Sequence, residues 1–256
     1  MGSGATVGTF NNFTVTGTAV TTDSIALTQD MTVTGTLTLN GNSEVNRLLI
    51  KSSTLGTPRT ISAGTIVTKW TDYQDMTASG AANWDLTAQT TNSSGNALGN
   101  TGITFTTAVQ LYWRTAAGGT WSTAANWDTN PSATSRVPLP QDNVSFSASA
   151  GGVNLNSGVT ITADVRRMGN NIDWTGMTFT NPTAPNFNLS NTPGTYVFFG
   201  NYTLLSTMGT INVSTNGLLA QGRGTSIFTS NGKGLNGDLT IQMFGGTLQL
   251  ADAIST

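Results

Sequence analysis

Few side chains in this sequence can do acid–base or nucleophilic chemistry. Histidine and cysteine are both absent, which removes imidazole bases, thiolate nucleophiles, disulfides and nearly all zinc sites together. Glu44 is the one glutamate, so proton transfer falls to aspartate. The closest acids are Asp72 and Asp75 in "TDYQD", with Asp85 further on. Glycoside hydrolysis needs two carboxyl groups about 5 Å or about 6.5 to 9.5 Å apart. A spacing of three on a strand sends Asp72 and Asp75 to opposite faces, so the expectation is a set of solvated turn aspartates. No Gly-x-Ser-x-Gly elbow occurs, and "GRGTS" lacks the spacing and lysine of a phosphate loop. Neither an EF-hand nor a Gly-Gly-x-Gly-x-Asp calcium repeat is present. The sequence therefore predicts no catalytic residues, no metal ligands and no cofactor.

Aromatic side chains are the other source of recognition chemistry. The segment "LYWRTAAGGTWSTAANWD" brings Tyr112, Trp113, Trp121 and Trp127 close together, with Gly119 and Asn126 between them and Pro138, Asp142 and Phe146 following. Exposed, these rings could stack on sugar or on a partner, since an aromatic face offers a large apolar area with a polar handle. Packed inward, Trp113, Trp121 and Trp127 would fill the core where the fold changes register, with Asn126 and Asp142 bonding turn backbone. The word "AANWD" occurs twice, at 81–85 and 124–128. Its surroundings diverge at once, so it is not a repeat unit, and the first copy reads as an ordinary turn with Trp84 packed inward.

The elements that position these residues are strands. In "MTVTGTLTLNGN" Met31, Val33, Gly35, Leu37 and Leu39 point one way and the intervening threonines the other, which is the period-two pattern of a half-buried strand. The pattern returns in "FTVTGTAV" (13–20), "ITFTT" (103–107), "VSFSAS" (144–149), "VNLNSGVTITADV" (153–165), "TINVST", "DLTIQM" and "TLQLAD". Four Asn-Gly pairs, beginning at Asn40, Asn216, Asn231 and Asn236, predict tight turns. No window has a helical period. Threonine makes up roughly a fifth of the residues, and only 9% are charged against a usual value of about 25%. Outward threonine suits a pleated surface, and sparse charge suits stacked strands about 4.8 Å apart. The expected fold is all-β: a β-solenoid of short rungs, interrupted by a Trp/Pro-rich junction, with β-sandwich domains as the alternative. The expected organisation is a β-rich region over 1–110, the junction over 111–143 and a second solenoid region over 144–256.

The tryptophan segment resembles the W…GxW…NW…PxxxDxVxF signature of β-solenoid passenger regions in autotransporter-like bacterial surface proteins and of β-rich proteins in phage particles. The flanking stretches "RLLIKSSTLGTPRTISAG" and "TSIFTSNGKGLNGDLTIQMFGGTLQLADAIST" are similar to segments of phage and metagenomic structural proteins. The resemblance implies an extracellular or virion-surface β-solenoid and no particular activity.

The net charge of −2 and the scattered basic residues argue against nucleic acid as a partner. No run approaches the roughly 18 apolar residues of a membrane span, and the first residues do not form a secretory signal. "GTLQLADAIST" ends on a strand pattern without a polar cap, so its last rung is expected to be covered by a partner, a symmetry mate or further sequence. The leading expectation is a non-enzymatic structural protein of a phage virion, in a tail or surface appendage at the virion surface. It would be homo-oligomeric, with a trimer as first choice, or joined to other virion proteins, with host-surface glycan as a further candidate partner. The alternatives are a secreted bacterial adhesin or autotransporter-like passenger at the cell surface, and a tailspike-type glycan depolymerase.

Overall fold

The structure is a computed structural model and describes residues 8–20, 22–89, 93–129, 136–147, 159–163, 167–176, 186–189, 195–209 and 211–254. It is nearly all β. Among the described residues the one helical element is the short 3-10 turn Ala124–Asn126, and no helix is long and apolar enough to cross a membrane. The chain divides into two compact units, Met1–Thr107 and Ala108–Thr256.

In the first unit the strands form two stacks. One runs Asp23–Leu27, Leu48–Ser52, Thr71–Gln74, Gly95–Asn96, with each strand parallel to the one before. In the other, Gly8–Phe10 and Phe13–Thr16 both lie along Met31–Asn40, which pairs with Arg59–Lys69, which pairs with Met76–Gly80. Parallel strands cannot be joined by a hairpin, so the chain must travel round before it returns to a stack. The expected alternation holds in Met31–Asn40: Met31, Val33, Leu37 and Leu39 are buried, while Thr34 is exposed. They meet Leu48, Ile50, Ile61, Tyr73, Met76 and Trp84 in one apolar core. Burial pushes the Tyr73 hydroxyl far above its ordinary pKa, although Thr68 hydrogen-bonds it at 2.8 Å.

The second unit repeats the principle. Gln110–Trp113, Asn143–Ser145, Ile172–Asp173, Tyr202–Thr203, Thr225–Thr229 and Thr247–Leu250 stack in parallel. Its other sheet holds Gly119–Thr120, Thr160–Ala163, Asn186–Leu189, Ile211–Ala220, Tyr196–Phe198 and Arg167–Gly169, with Asn236–Ile241 also on Ile211–Ala220. Among the described residues one strand pair is antiparallel: Trp127–Asp128 folds back on Gln110–Trp113.

Two local expectations are corrected. The stretch 103–107 forms no strand and makes only the isolated bridge Asp85↔Thr104. Of the Asn-Gly pairs, Asn231-Gly232 forms the expected tight turn, with the Lys233 N–H donating to the Ser230 carbonyl, whereas Asn216-Gly217 and Asn236-Gly237 lie within strands. Gly217, Gly232 and Gly237 do take positive φ, but Gly41 is demanded by proximity, because a Cβ there would lie 2.3 Å from the Trp70 carbonyl oxygen of the next strand layer. Of the predicted strand at 153–165, residues 159–163 are described and Thr160–Ala163 form a strand; the others lie outside the described residues, as do the last two residues of "VSFSAS".

Candidate functional site

The tryptophan segment opens the second unit. Leu111 and Trp113 alternate inward from their strand and are 0% and 1% exposed, so Tyr112 between them must face outward. Trp127, opposite Trp113 in the antiparallel register, meets it edge-on with ring centroids 5.0 Å apart. Trp121 closes on Trp127 at 4.7 Å, and Phe146 touches all three indoles at 5.7 to 5.8 Å while stacking on Trp174 at 3.7 Å. The Trp127 indole N–H donates to the Trp121 carbonyl and that of Trp113 to Thr115, each at 2.8 Å, so these buried amines are satisfied. Trp121 is 0% and Trp127 1% exposed. The three indole faces are thus core, and the sugar-stacking alternative fails for Trp113, Trp121 and Trp127; aromatic area this large is worth more buried against other rings than left in water.

The small and polar residues of the segment hold this core in place. Asn126 donates through Nδ2 to the Thr120 carbonyl at 2.9 Å. Gly119, at φ +137°, has that same Nδ2 only 2.9 Å from where a Cβ would stand, so a side chain there would displace the amide. The Trp121 backbone N–H donates to Thr162, tying the segment to the second sheet. Asp142 is fully buried and collects four donors: Val109 N–H and Arg136 Nη2 on Oδ1, and Leu139 N–H and Arg136 Nη1 on Oδ2. It thereby fixes the loop carrying the buried Pro138 to the start of the first strand. The ion pair orders the backbone and offers no free carboxylate.

What faces outward from the same stack is a groove of about 560 Å³, within the size range of ligand sites. Four strands present the words "QLYW", "NVSF", "NIDW" and "NYTL", beginning at Gln110, Asn143, Asn171 and Asn201, and the pairing puts them in register. Their second and fourth residues point inward. Their first residues form an amide row, in which Asn171 Nδ2 donates to Asn143 Oδ1 at 2.8 Å, Asn201 N–H to Asn171 Oδ1 at 2.7 Å and Ile227 N–H to Asn201 Oδ1 at 2.8 Å. Their third residues form the row Tyr112, Ser145, Asp173, Thr203. Among the described residues no lysine or arginine lines the groove, and Asp173 is its one carboxylate. Asp173 Oδ1 accepts from the N–H and hydroxyl of Thr175 at 2.8 and 2.7 Å. Of the four aromatics singled out in the sequence, only Tyr112 reaches this surface. The amide row and Asp173 were missed; the fourfold word was the signal, hidden by unequal intervals.

The aspartates considered for chemistry are elsewhere. Asp72 and Asp75 are buried rather than solvated: Arg47, next to the paired strand Leu48–Ser52, donates to Asp72 Oδ1 at 2.6 and 2.8 Å, and Asp75 Oδ2 accepts the Gly56 N–H at 2.9 Å. Buried charge persists only when it is paired or hydrogen-bonded: Asp72 is paired with Arg47, and Asp75 accepts a backbone N–H. Asp85 is exposed and caps its own turn through Thr87, whose hydroxyl and N–H hold its pKa below the ordinary carboxylate value. Trp84, of the first "AANWD", is buried and donates to the Ser79 carbonyl at 3.1 Å. No cluster of three or more acidic, histidine or cysteine side chains able to hold a metal occurs among the described residues. Comparison with protein-family models, with curated proteins and with solved structures finds no match in any of the three.

Proposed function

We propose that this chain is a non-enzymatic structural protein of a phage virion, part of a tail or surface appendage, built as a β-solenoid whose second unit turns its groove outward toward the host. The observation that carries the reading is the parallel pairing that predominates in all four sheets, interrupted among the described residues only where Trp127–Asp128 folds back on Gln110–Trp113, so that successive returns of the chain add layers to the same stack. Stacking of this kind builds up layer by layer from short strands and leaves outward rows of neutral polar side chains within each unit. A two-carboxylate hydrolase needs a second acid beside Asp173, and the described residues of the groove lining hold no other, which favours holding a ligand over cleaving it. The assembled form in this reading is a homo-oligomer, with a trimer as first choice.

Quantitative mass spectrometry of gradient-purified particles tests the proposal. A structural component appears at a fixed copy number per particle that survives protease and salt washing. Recovery of the chain only from host membranes or culture supernatant overturns it.

A further inference from the structure

We propose that the notch above Ser145, between Tyr112 and Asp173, binds a single pyranose ring of a neutral or amino-bearing glycan and rejects acidic sugars. This deepens the reading of the groove as a binding surface and does not depend on the virion assignment.

Tyr112, Ser145 and Asp173 occupy consecutive layers of one outward row. Layers lie about 4.8 Å apart, which sets the two larger residues about 9.6 Å apart along the stack with the smallest side chain of the row between them. Ser145 is only 8% exposed, so it forms the floor rather than a rim. The phenol ring at one end offers an apolar face to sugar C–H groups. At the other end Asp173 has spent Oδ1 on Thr175, which leaves Oδ2 to accept from a hydroxyl or an ammonium.

The amide row alongside complements this. The Asn143 and Asn201 side-chain oxygens are consumed within the row, so these residues present Nδ2 donors to the groove. A surface with donors on one side and an acceptor on the other suits hydroxyl groups, which need both. The carboxylate of Asp173, with no lysine or arginine among the described lining residues, repels uronate and sialate carboxylates and attracts an amino sugar.

Backbone amide spectra of the ¹⁵N-labelled full chain, titrated separately with N-acetylglucosamine trimer, glucosamine trimer and trigalacturonate, test this. The expected result is saturable shifts at Tyr112, Ser145 and Asp173 with the first two probes, tighter for the glucosamine trimer, and none with trigalacturonate. Tyr112→Ala should weaken binding of both at least tenfold. Tyr112→Leu, which keeps apolar bulk without the ring, should weaken it similarly, and an unchanged spectrum elsewhere shows the fold intact. Asp173→Asn, which keeps an oxygen for Thr175, should abolish the preference for glucosamine over its N-acetyl form. Absence of shifts with both favoured probes, equal response to trigalacturonate, shifts confined to other surfaces, or full affinity in both Tyr112 variants overturns the proposal.

Discussion

Replacing Asp142 by asparagine changes almost no volume and removes one charge and one acceptor oxygen. The wild-type carboxylate has about four acceptor sites, and all four hold donors: two from Arg136 and one each from the backbones of Val109 and Leu139. Asparagine retains a single oxygen, so two donors face an amide NH₂ and Arg136 loses its counter-charge. Breaking a buried pair from one side costs about 3 to 5 kcal/mol, a figure that already contains the stranded donors. The Arg136 side chain is 21% exposed and recovers some hydration, which puts Asp142→Asn near the lower end, about 3 kcal/mol. At about 2 to 4 °C per kcal/mol for a unit of this size, the melting temperature falls by about 6 to 12 °C. Near-ultraviolet circular dichroism reads this directly, because Trp113, Trp121, Trp127 and Trp174 all lie buried in the same unit. Adding Arg136→Met to Asp142→Asn should cost less than Arg136→Met alone, with a coupling of at least about 1 kcal/mol. A shift under about 2 °C, or strict additivity in the double variant, refutes the assignment of Asp142 as the centre of the loop.

Three further outcomes follow from packing and charge. Gly41→Ala, whose Cβ would sit 2.3 Å from the Trp70 oxygen, should lose about 1 to 3 kcal/mol in urea unfolding, while Gly224→Ala, with nothing within 4 Å, should stay within about 0.5 kcal/mol of wild type. Trp127→Ala should cost about 3 to 5 kcal/mol and abolish protection of Phe146 and Ile172 amides in hydrogen exchange, leaving Leu37 and Ile50 in the separate core of the first unit protected. The Asp252 carboxylate accepts the backbone N–H groups of Ser230 and Asn231, which hold its pKa below the ordinary value. Since the folded value is the lower one, its contribution is present above the unfolded value of about 3.9 and is lost as pH falls through the folded value. The Ser230 amide shift should accordingly titrate with a midpoint below 3.9, and a midpoint at or above it would contradict the hydrogen bonds.

The all-β class was legible because alternation is local: the pattern of Met31–Asn40 survives intact in the fold. Pairing was less so. Asn-Gly carries the same backbone preference in a tight turn, as at Asn231-Gly232, and within or at the end of a strand, and only proximity, as at Gly41 beside Trp70, separates the uses. The burial of Asp72 was illegible for a related reason, since the arginine that neutralises it stands 25 residues earlier and meets it only once the layers stack. The groove is intermediate. Its fourfold word is plain in the sequence, but intervals of 33, 28 and 30 residues between first positions defeat a search at fixed period. Tyr112 stood out for its aromatic neighbours, and the alternation of the strand sent it to the opposite side from them.

The central claim is that this chain is an external structural part of a phage particle. Gold-labelled antibody against the folded chain, applied to intact particles and to uninfected host cells and viewed by electron microscopy, tests it most directly. The account predicts label at a fixed position on the tail or particle surface and none on uninfected cells. Label on uninfected cells with bare particles would contradict it and point to a cell-surface adhesin.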